Sequence, residues 1–279
     1  CEYTLPTHGI ITNCGKAHLE GFGGEEGVRK GKGELYDFLR QNGGSAFVMW
    51  DYEYLHHMSQ GIPEIIKYGT ADADIIGKAT QSEPFLAVEI TKGANLHIQT
   101  KLVGEYNLPN VLVAVAVGKH FGVKDELIQS SIEQYTPSNS RSQLVERNGN
   151  KIILDAYNAN PSSMRLAIEN LAKMPVENKV LMLGGMAELG EGSVHEHQQI
   201  VDLISGYNWK NVVLVGGDFL KIDHPFLSFS NSAEAAAWYR QQQLRDAYIL
   251  IKGSRSMQME KVITDYTDYA DKKNDQLSV

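Results

Sequence analysis

The sequence predicts an α/β fold in two domains, the second a parallel sheet with helices on its faces. The length allows this, since 279 residues suffice for two ordinary domains. From about residue 150, apolar strand runs alternate with amphipathic helical segments. That pattern is the one a parallel sheet requires, because every crossover must travel back along the sheet. Between the halves, Tyr135-Thr136-Pro137-Ser138-Asn139-Ser140 has linker composition. The expected domains are therefore 1–138 and 139–279.

In the first half, the apolar run Gly9-Ile10-Ile11 predicts a buried strand over Gly9–Asn13. Glu25–Gln41 has helical periodicity and ends at Gly43-Gly44, a helix stop. Ser45–Trp50 is the next apolar strand, and Asp51–Gln60 is a short helix ahead of Gly61-Ile62-Pro63. From Ile65 to Lys101 the runs shorten to Ala73–Lys78, Leu86–Thr91 and Asn95–Thr100. The alternation in Leu96-His97-Ile98-Gln99-Thr100 predicts half-exposed antiparallel strands. Asn107–Phe121, rich in Val and Ala, predicts a helix buried all round. Lys124–Gln134 predicts a helix with Leu127, Ile128 and Ile132 on one face.

In the second half, strands are expected at Lys151–Asp155, Lys179–Leu183, Asn211–Val215, Phe226–Ser230 and Ala247–Ile251. Helices are expected at Pro161–Lys173, with Asn160 as N-cap and Pro161 in the first turn. Ser193–Tyr207 should be a helix with a Ser193/Glu196 capping box. Ala233–Leu244 and Met257–Tyr266 complete the alternation, and Asp268–Val279 is a polar tail expected to fray.

Composition narrows the function. With 26 basic against 34 acidic residues the net charge is −8, which speaks against nucleic-acid binding while leaving room for a local phosphate pocket. Two cysteines, Cys1 and Cys14, make neither a disulfide framework nor a zinc spacing, so a reducing cytoplasmic location is expected. The longest apolar stretch, Val111–Val117, is far short of the roughly 18–20 residues of a membrane span, so no membrane insertion is expected. The chain starts abruptly at Cys1-Glu2-Tyr3, without Met or signal-peptide character, and is expected to be a truncation.

The most informative stretch is Thr12-Asn13-Cys14-Gly15-Lys16-Ala17-His18-Leu19-Glu20-Gly21-Phe22-Gly23, followed by Arg29-Lys30-Gly31-Lys32-Gly33-Glu34. It follows a strand, where an open α/β sheet places its ligands. A neutral His18 could bind a divalent metal, or simply hydrogen-bond loop backbone. Lys32 could meet phosphate as a point charge or be a solvated surface lysine. As an ammonium it has no lone pair for a metal, although carbamylation would make it an oxygen ligand suited to Mg²⁺. Asn107 and Asn110 carry amides that match an adenine edge, yet helix capping by Asn107 explains them as well.

Arg141 could reach phosphates or be a surface arginine. Asp155 ends a strand, where a carboxylate can accept from ribose, and Tyr157, Asn158 and Asn160 follow it. A turn and a helix cap explain the same residues. Lys252-Gly253-Ser254-Arg255-Ser256 follows the last strand and opens a helix. A basic helix start is electrostatically unfavourable, which points to a carboxylate or phosphate site. His195-Glu196-His197 is too compact for a metalloprotease signature and predicts an exposed helix start. The Gly-Lys pairs at 15–16, 31–32, 77–78 and 118–119 are followed by Ala, Gly, Ala and His, so none forms a P-loop.

Together these segments resemble the Mur ligase family. The resemblance is carried by Pro6–Asn13, Ala17–Gly23, Lys30–Glu34, Tyr157–Pro161, Met186–Gly190 and Lys252–Ser256, in the family's order and across nearly the whole chain. The tyrosine-asparagine and lysine-glycine-serine-arginine runs are similar to the branch that adds D-alanyl-D-alanine to UDP-N-acetylmuramoyl-tripeptide. The resemblance implies an α/β chain, the C-terminal part of a P-loop-type central ATPase domain followed by a Rossmann-like domain. It implies ATP, UDP-N-acetylmuramoyl-tripeptide and D-alanyl-D-alanine as substrates, Mg²⁺ as cofactor, and a monomer that forms an amide through an acyl phosphate.

By the same resemblance His18 and carbamylated Lys32 hold Mg²⁺, and Asn107 and Asn110 contact adenine. Arg141 contacts phosphates and Asp155 the ribose. Tyr157, Asn158 and Asn160 line the substrate site, and Lys252, Ser254 and Arg255 place peptide substrate. Tyr106 stands where the family has His. With no P-loop in its residues, the chain is expected to be inactive alone. A glutamate-adding folate-type ligase and a stand-alone nucleotide- or peptide-binding module are the other functions considered.

Overall fold

A computed structural model describes residues 1–138 and 140–264. The chain divides into two compact units, Cys1–Pro137 and Ser138–Val279. Asn139 of the expected linker and the tail Asp268–Val279 lie outside the described residues, as do the last two residues of the expected Met257–Tyr266 helix.

The first unit contains a six-stranded sheet in sequential order. Its strands are β1 (His8–Ile10), β2 (Ser45–Met49), β3 (Glu64–Gly69), β4 (Ile75–Gln81), β5 (Ala87–Lys92) and β6 (Leu96–Gln99). β1 to β4 run parallel, and β5 and β6 return antiparallel. β2 is buried along its whole length, as expected of a strand covered on both faces. β6 alternates buried and exposed residues, the half-exposed pattern expected of it. Helices α1 (Leu19–Phe22), α2 (Glu25–Asn42), α3 (Glu53–Ser59), α4 (Leu108–His120) and α5 (Asp125–Gln134) flank this sheet. Gly43, in the left-handed region, ends α2 at the expected stop.

Four expectations for this unit need correction. β1 ends at Ile10, and Ile10 is exposed while Gly9 and Ile11 are buried. β3 was not anticipated, because Glu64 and Lys67 interrupt its apolar run. α4 is not buried all round: Val111, Leu112, Val115 and Ala116 face the core, whereas Asn110 and Ala114 are exposed. Small Ala and Val side chains carry little periodic contrast, so composition hid that face. In α5 Ile128 is buried but Leu127 is exposed.

The second unit contains a six-stranded sheet of order β11-β10-β9-β12-β8-β7. Its strands are β7 (Gln143–Arg147), β8 (Asn150–Asp155), β9 (Lys179–Gly184), β10 (Asn211–Val215), β11 (Leu227–Phe229) and β12 (Tyr248–Lys252). All neighbours pair in parallel except the unanticipated edge strand β7, antiparallel to β8. Helices α6 (Pro161–Lys173), α7 (Ser193–Ser205) and α8 (Ser232–Gln241) cross between strands. The apolar core runs through Ile152, Val180, Met182, Val213, Ile249 and Ile251, all fully buried.

Asn160 caps α6 through a reciprocal bond pair with Ser163, and Pro161 opens the helix. The Ser193/Glu196 capping box does not form: α7 has no side-chain cap. Ser193 instead hydrogen-bonds Asp218, and Glu196 is buried. The helix expected after β12 is replaced by two 3₁₀ turns, Arg255–Met257 and Met259–Val262. Gln258, at φ +50°, breaks the helix between them.

Candidate functional site

In the first unit the candidate residues lie beyond the carboxyl end of β1. The loop is built by glycine contacts. A Cβ on Gly27 would lie 1.7 Å from the Phe22 carbonyl oxygen, and one on Gly31 would lie 2.5 Å from the Phe22 ring. At Gly27 only glycine lets α1 rest against α2, while a side chain at residue 31 would have to displace the Phe22 ring. His18 opens α1 in the left-handed region at φ 57°. Lys32 shares the face of α2 that carries Val28 and Tyr36, one turn away on each side. Its Nζ donates to the Asn13 carbonyl at 2.7 Å, so helix and loop are tied at the lysine. Nearby, the Cys14 amide donates to the Tyr54 hydroxyl at 3.1 Å. Burial pushes the Cys14 thiol up, with Lys32 and Arg29 opposing.

These residues do not form a metal centre by themselves. Among the described residues no three His, Cys, Asp or Glu side chains converge on a metal position. The Lys32 ammonium is a donor and cannot ligate.

Asn107 and Asn110 are brought together, though not by capping. Asn107 Nδ2 donates to the Val103 carbonyl at 2.9 Å, and its Oδ1 accepts from Asn110 Nδ2 at 3.0 Å. The capping explanation is corrected, since Asn107 makes no side-chain cap on α4. Asn107 is buried and Asn110 exposed, so Asn110 is the amide with free edge capacity.

In the second unit the candidates gather at the carboxyl edge of the sheet. Asp155 and Lys252 end neighbouring parallel strands in register. Lys252 Nζ lies 2.5 Å from Asp155 Oδ2 and 3.2 Å from the Asn158 carbonyl. The lysine side chain is 2% exposed and the carboxylate 15%. Asp155 Oδ1 also accepts from the Ser142 amide at 3.1 Å. Sequence reasoning assigned Asp155 and Lys252 to different ligands; the fold makes them partners. Pairing of two strand ends 97 residues apart has no local sequence signal.

Arg141 packs its guanidinium 3.6 Å from the centroid of the Tyr157 ring, a cation–π contact. Arg141 thus belongs to the second unit's surface rather than to a free linker. The Tyr157 amide donates to the Ser140 carbonyl at 3.2 Å, which lays this segment against the strand end. Asn158 turns its Oδ1 to the Ala159 amide at 2.9 Å, and Asn160 Oδ1 accepts from the Ser163 amide at 2.9 Å. The turn-and-cap explanation therefore holds for both asparagines.

Ser254 is buried and bonds to the loop after β9: its Oγ donates to the Gly185 carbonyl at 2.7 Å. Arg255 is exposed, with a loose 3.7 Å contact to Glu260. It is the accessible cation of this segment.

His197 was missed. It is fully buried, contrary to the exposed helix start expected of His195-Glu196-His197. His195 alone is exposed. The usable signal was periodicity, because His197, Ile200, Val201 and Ile204 form one buried helical face. Burial lowers the His197 pKa, against opposing contributions from the Ser193 carbonyl, Asp218 and Glu196.

Two α/β units, the second with polar groups gathered at the carboxyl ends of its parallel strands, define the protein as an α/β protein. The Mur ligase middle domain family matches residues 1–118, and the Mur ligase glutamate ligase domain family matches residues 140–255. The chain belongs to the Mur ligase family, with its middle and glutamate ligase domains both matched. It is 30% identical to the UDP-N-acetylmuramoyl-tripeptide–D-alanyl-D-alanine ligase of Haemophilus influenzae, over 94% of this chain and 60% of that protein. The Escherichia coli enzyme of the same name is also 30% identical, over 93% of this chain and 60% of that protein.

Among solved structures, MurF from Acinetobacter baumannii superposes with TM-score 0.82 at 25% identity, over 95% of this chain and 60% of that one. MurF from Thermotoga maritima, in complex with ADP, gives TM-score 0.82 at 22% identity, over 98% of this chain and 64% of that one. The chain thus spans about 60% of the length of the relatives it matches. No helix among the described residues is long and apolar enough to cross a membrane.

Proposed function

We propose that the chain supplies two domains, 1–138 and 139–279, of an ATP-dependent ligase that joins D-alanyl-D-alanine to UDP-N-acetylmuramoyl-tripeptide. The observation that carries this reading is the similarity to D-alanyl-D-alanine-adding ligases along 94% of the chain. In the reaction the tripeptide's terminal carboxylate attacks the γ-phosphorus of ATP. The new O–P bond forms as the bond to the β-phosphate oxygen breaks, and ADP leaves. The dipeptide amine then attacks the acyl carbon, loses a proton, and the tetrahedral adduct expels phosphate to leave the amide.

The residues at hand suit such a reaction. Asn110 presents an amide edge to adenine, with Asn107 orienting it. Arg141, preorganised on Tyr157, offers a planar cation to phosphate. Asp155 retains lone pairs for a ribose hydroxyl after binding Lys252 and Ser142. Tyr157 is exposed beside them, while Asn158 and Asn160 shape the turn. Arg255 is the cation open to a peptide carboxylate, with Lys252 and Ser254 building the backbone around it. His18 and carbamylated Lys32 would contribute to holding Mg²⁺, which neutralises phosphate charge when bound. They do not complete a metal site alone.

These 279 residues contain no phosphate-binding loop, so we propose that the chain by itself turns over no ATP. The test is phosphate release by the full-length protein with ATP, Mg²⁺ and UDP-muramoyl-tripeptide. Release that requires D-alanyl-D-alanine supports the assignment. No release with the dipeptide, but glutamate-dependent release when a folate replaces the muramoyl-tripeptide, would move it to a folate-type ligase.

A further inference from the structure

His197 is a fully buried polar side chain that the reaction above leaves unused. It lies on α7, directly beneath the loop that leaves β9. Its two partners are main-chain groups of known polarity, which settles its tautomer. The Met186 amide can only donate, and it meets Nε2 at 2.9 Å. The Ser193 carbonyl can only accept, and it meets Nδ1 at 2.7 Å. Nε2 therefore carries a lone pair and Nδ1 the proton. The Phe219 ring stands edge-to-face on the imidazole, centroids 4.6 Å apart, and closes it from water.

The loop held in this way meets the ends of two neighbouring strands. The Gly185 amide bonds to Val215 at the end of β10. The Gly185 carbonyl accepts from Ser254 Oγ, beyond the end of β12. A Cβ on Gly185 would lie 2.8 Å from the Gly217 Cα, so the backbones are in contact there. His197 supplies the next bond along, at Met186. Beyond it Glu188 is exposed in a left-handed conformation at φ 60°, a strained arrangement that persists only when its surroundings hold it. The loop is thus joined at Gly185 to Ser254, the residue before the accessible cation Arg255.

We propose that His197 is a positioning residue that fixes the Gly185–Glu188 loop, which Gly185 joins to Ser254, for binding of the dipeptide that donates the amine. This rests on the reading given under Proposed function. His197 touches no substrate; it acts through the loop.

The test combines hydrogen exchange with kinetics on the full-length protein. Glutamine at this position offers both an acceptor for Met186 and a donor for Ser193; leucine fills the space and offers neither. His197→Leu is expected to speed exchange of the peptide spanning residues 185–189 while the strands β8 and β12 keep their protection. It should raise KM for D-alanyl-D-alanine on the order of tenfold, the worth of one lost hydrogen bond, and leave KM for ATP unchanged. His197→Gln should restore both. A merely destabilising role would reduce the active fraction, and so kcat, without moving KM.

Wild-type exchange and KM in His197→Leu would overturn the proposal, as would equal loss in the leucine and glutamine variants. If His197→Leu exchanges throughout, His197→Gln decides: near-wild-type loop protection and KM support the proposal, and loss of either overturns it. A wild-type enzyme without dipeptide-dependent turnover would refute the functional reading, while the exchange comparison would still judge the loop contact.

Discussion

The Asp155–Lys252 pair gives a prediction with a sign that the structure fixes. Asp155→Asn keeps an acceptor for the Ser142 amide but turns a neutral amide toward a buried ammonium. Lys252 is 2% exposed, so water cannot replace the lost carboxylate. Its remaining partner is the Asn158 carbonyl at 3.2 Å. Removing one member of a buried pair costs about 3–5 kcal/mol, and the surviving carbonyl bond puts the expectation at about 3 kcal/mol. The reverse change is milder. Lys252→Met removes the buried charge, and the Asp155 carboxylate, 15% exposed, keeps its Ser142 bond and takes water. About 1–2 kcal/mol is expected there.

At roughly 2–4 °C per kcal/mol for a domain of about 150 residues, Asp155→Asn should lower the second unit's melting temperature by about 10 °C. Calorimetry measures it, with hydrogen exchange of β8 and β12 assigning the transition. The double variant should cost less than the sum of the singles. A Lys252→Met variant less stable than Asp155→Asn would refute the burial argument, and so would additivity.

Three further outcomes follow. Gly185→Ala should destabilise the second unit by about 1–3 kcal/mol, read as a lower urea midpoint, because the added Cβ meets Gly217 backbone that has no side chain to yield. For His197 the folded pKa is lowered, chiefly by burial, so the unfolded chain protonates first as pH falls. Stability from this group is then complete above about pH 6.5 and declines as pH drops below it. Asp218, Glu196 and Lys221 also act on the imidazole, so the decisive comparison is the urea midpoint from pH 7 to 5 in wild type and His197→Gln; equal slopes would remove His197 as the cause. In the full-length protein, Lys32→Ala should lose most ligase activity and recover part of it with added short carboxylic acids; wild-type turnover in the variant would sink the carbamylation assignment.

Much of the fold was legible because buried parallel strands and capped helices leave local marks. α6 appeared at the expected bounds, Pro161–Lys173, since Asn160, Pro161 and the apolar spacing each specify a helix start independently. β2 and β9 were visible as unbroken apolar runs. β3 and β7 were not, because an alternating or edge strand mixes charged residues into its pattern and resembles a loop. α4 shows the opposite failure: a run of Val and Ala is apolar on every side, and only packing against β2, β3 and β4 decides which side is core.

The candidate residues could be marked by type in the sequence, but their pairing could not. Residue types at strand ends marked Asp155, Tyr157, Lys252 and Ser254 as candidates, and the sheet does bring Asp155 and Lys252 into contact. Which polar atom meets which depends on strand order, and order β9-β12-β8 joins segments nearly 100 residues apart. Asn107 and His197 make the point from both directions. A cap-like asparagine before α4 spends both ends of its amide on Val103 and Asn110. A histidine in a string of polar residues becomes the buried support of a loop. In each case a backbone group needing a partner captured the side chain. Such demands exist only once neighbouring elements have packed and water is gone. The two residues sequence reasoning misread, Asn107 and His197, are accordingly buried and committed to neighbouring groups. The candidates left with capacity to spare, Asn110, Arg141 and Arg255, are where ligand contacts should be sought first.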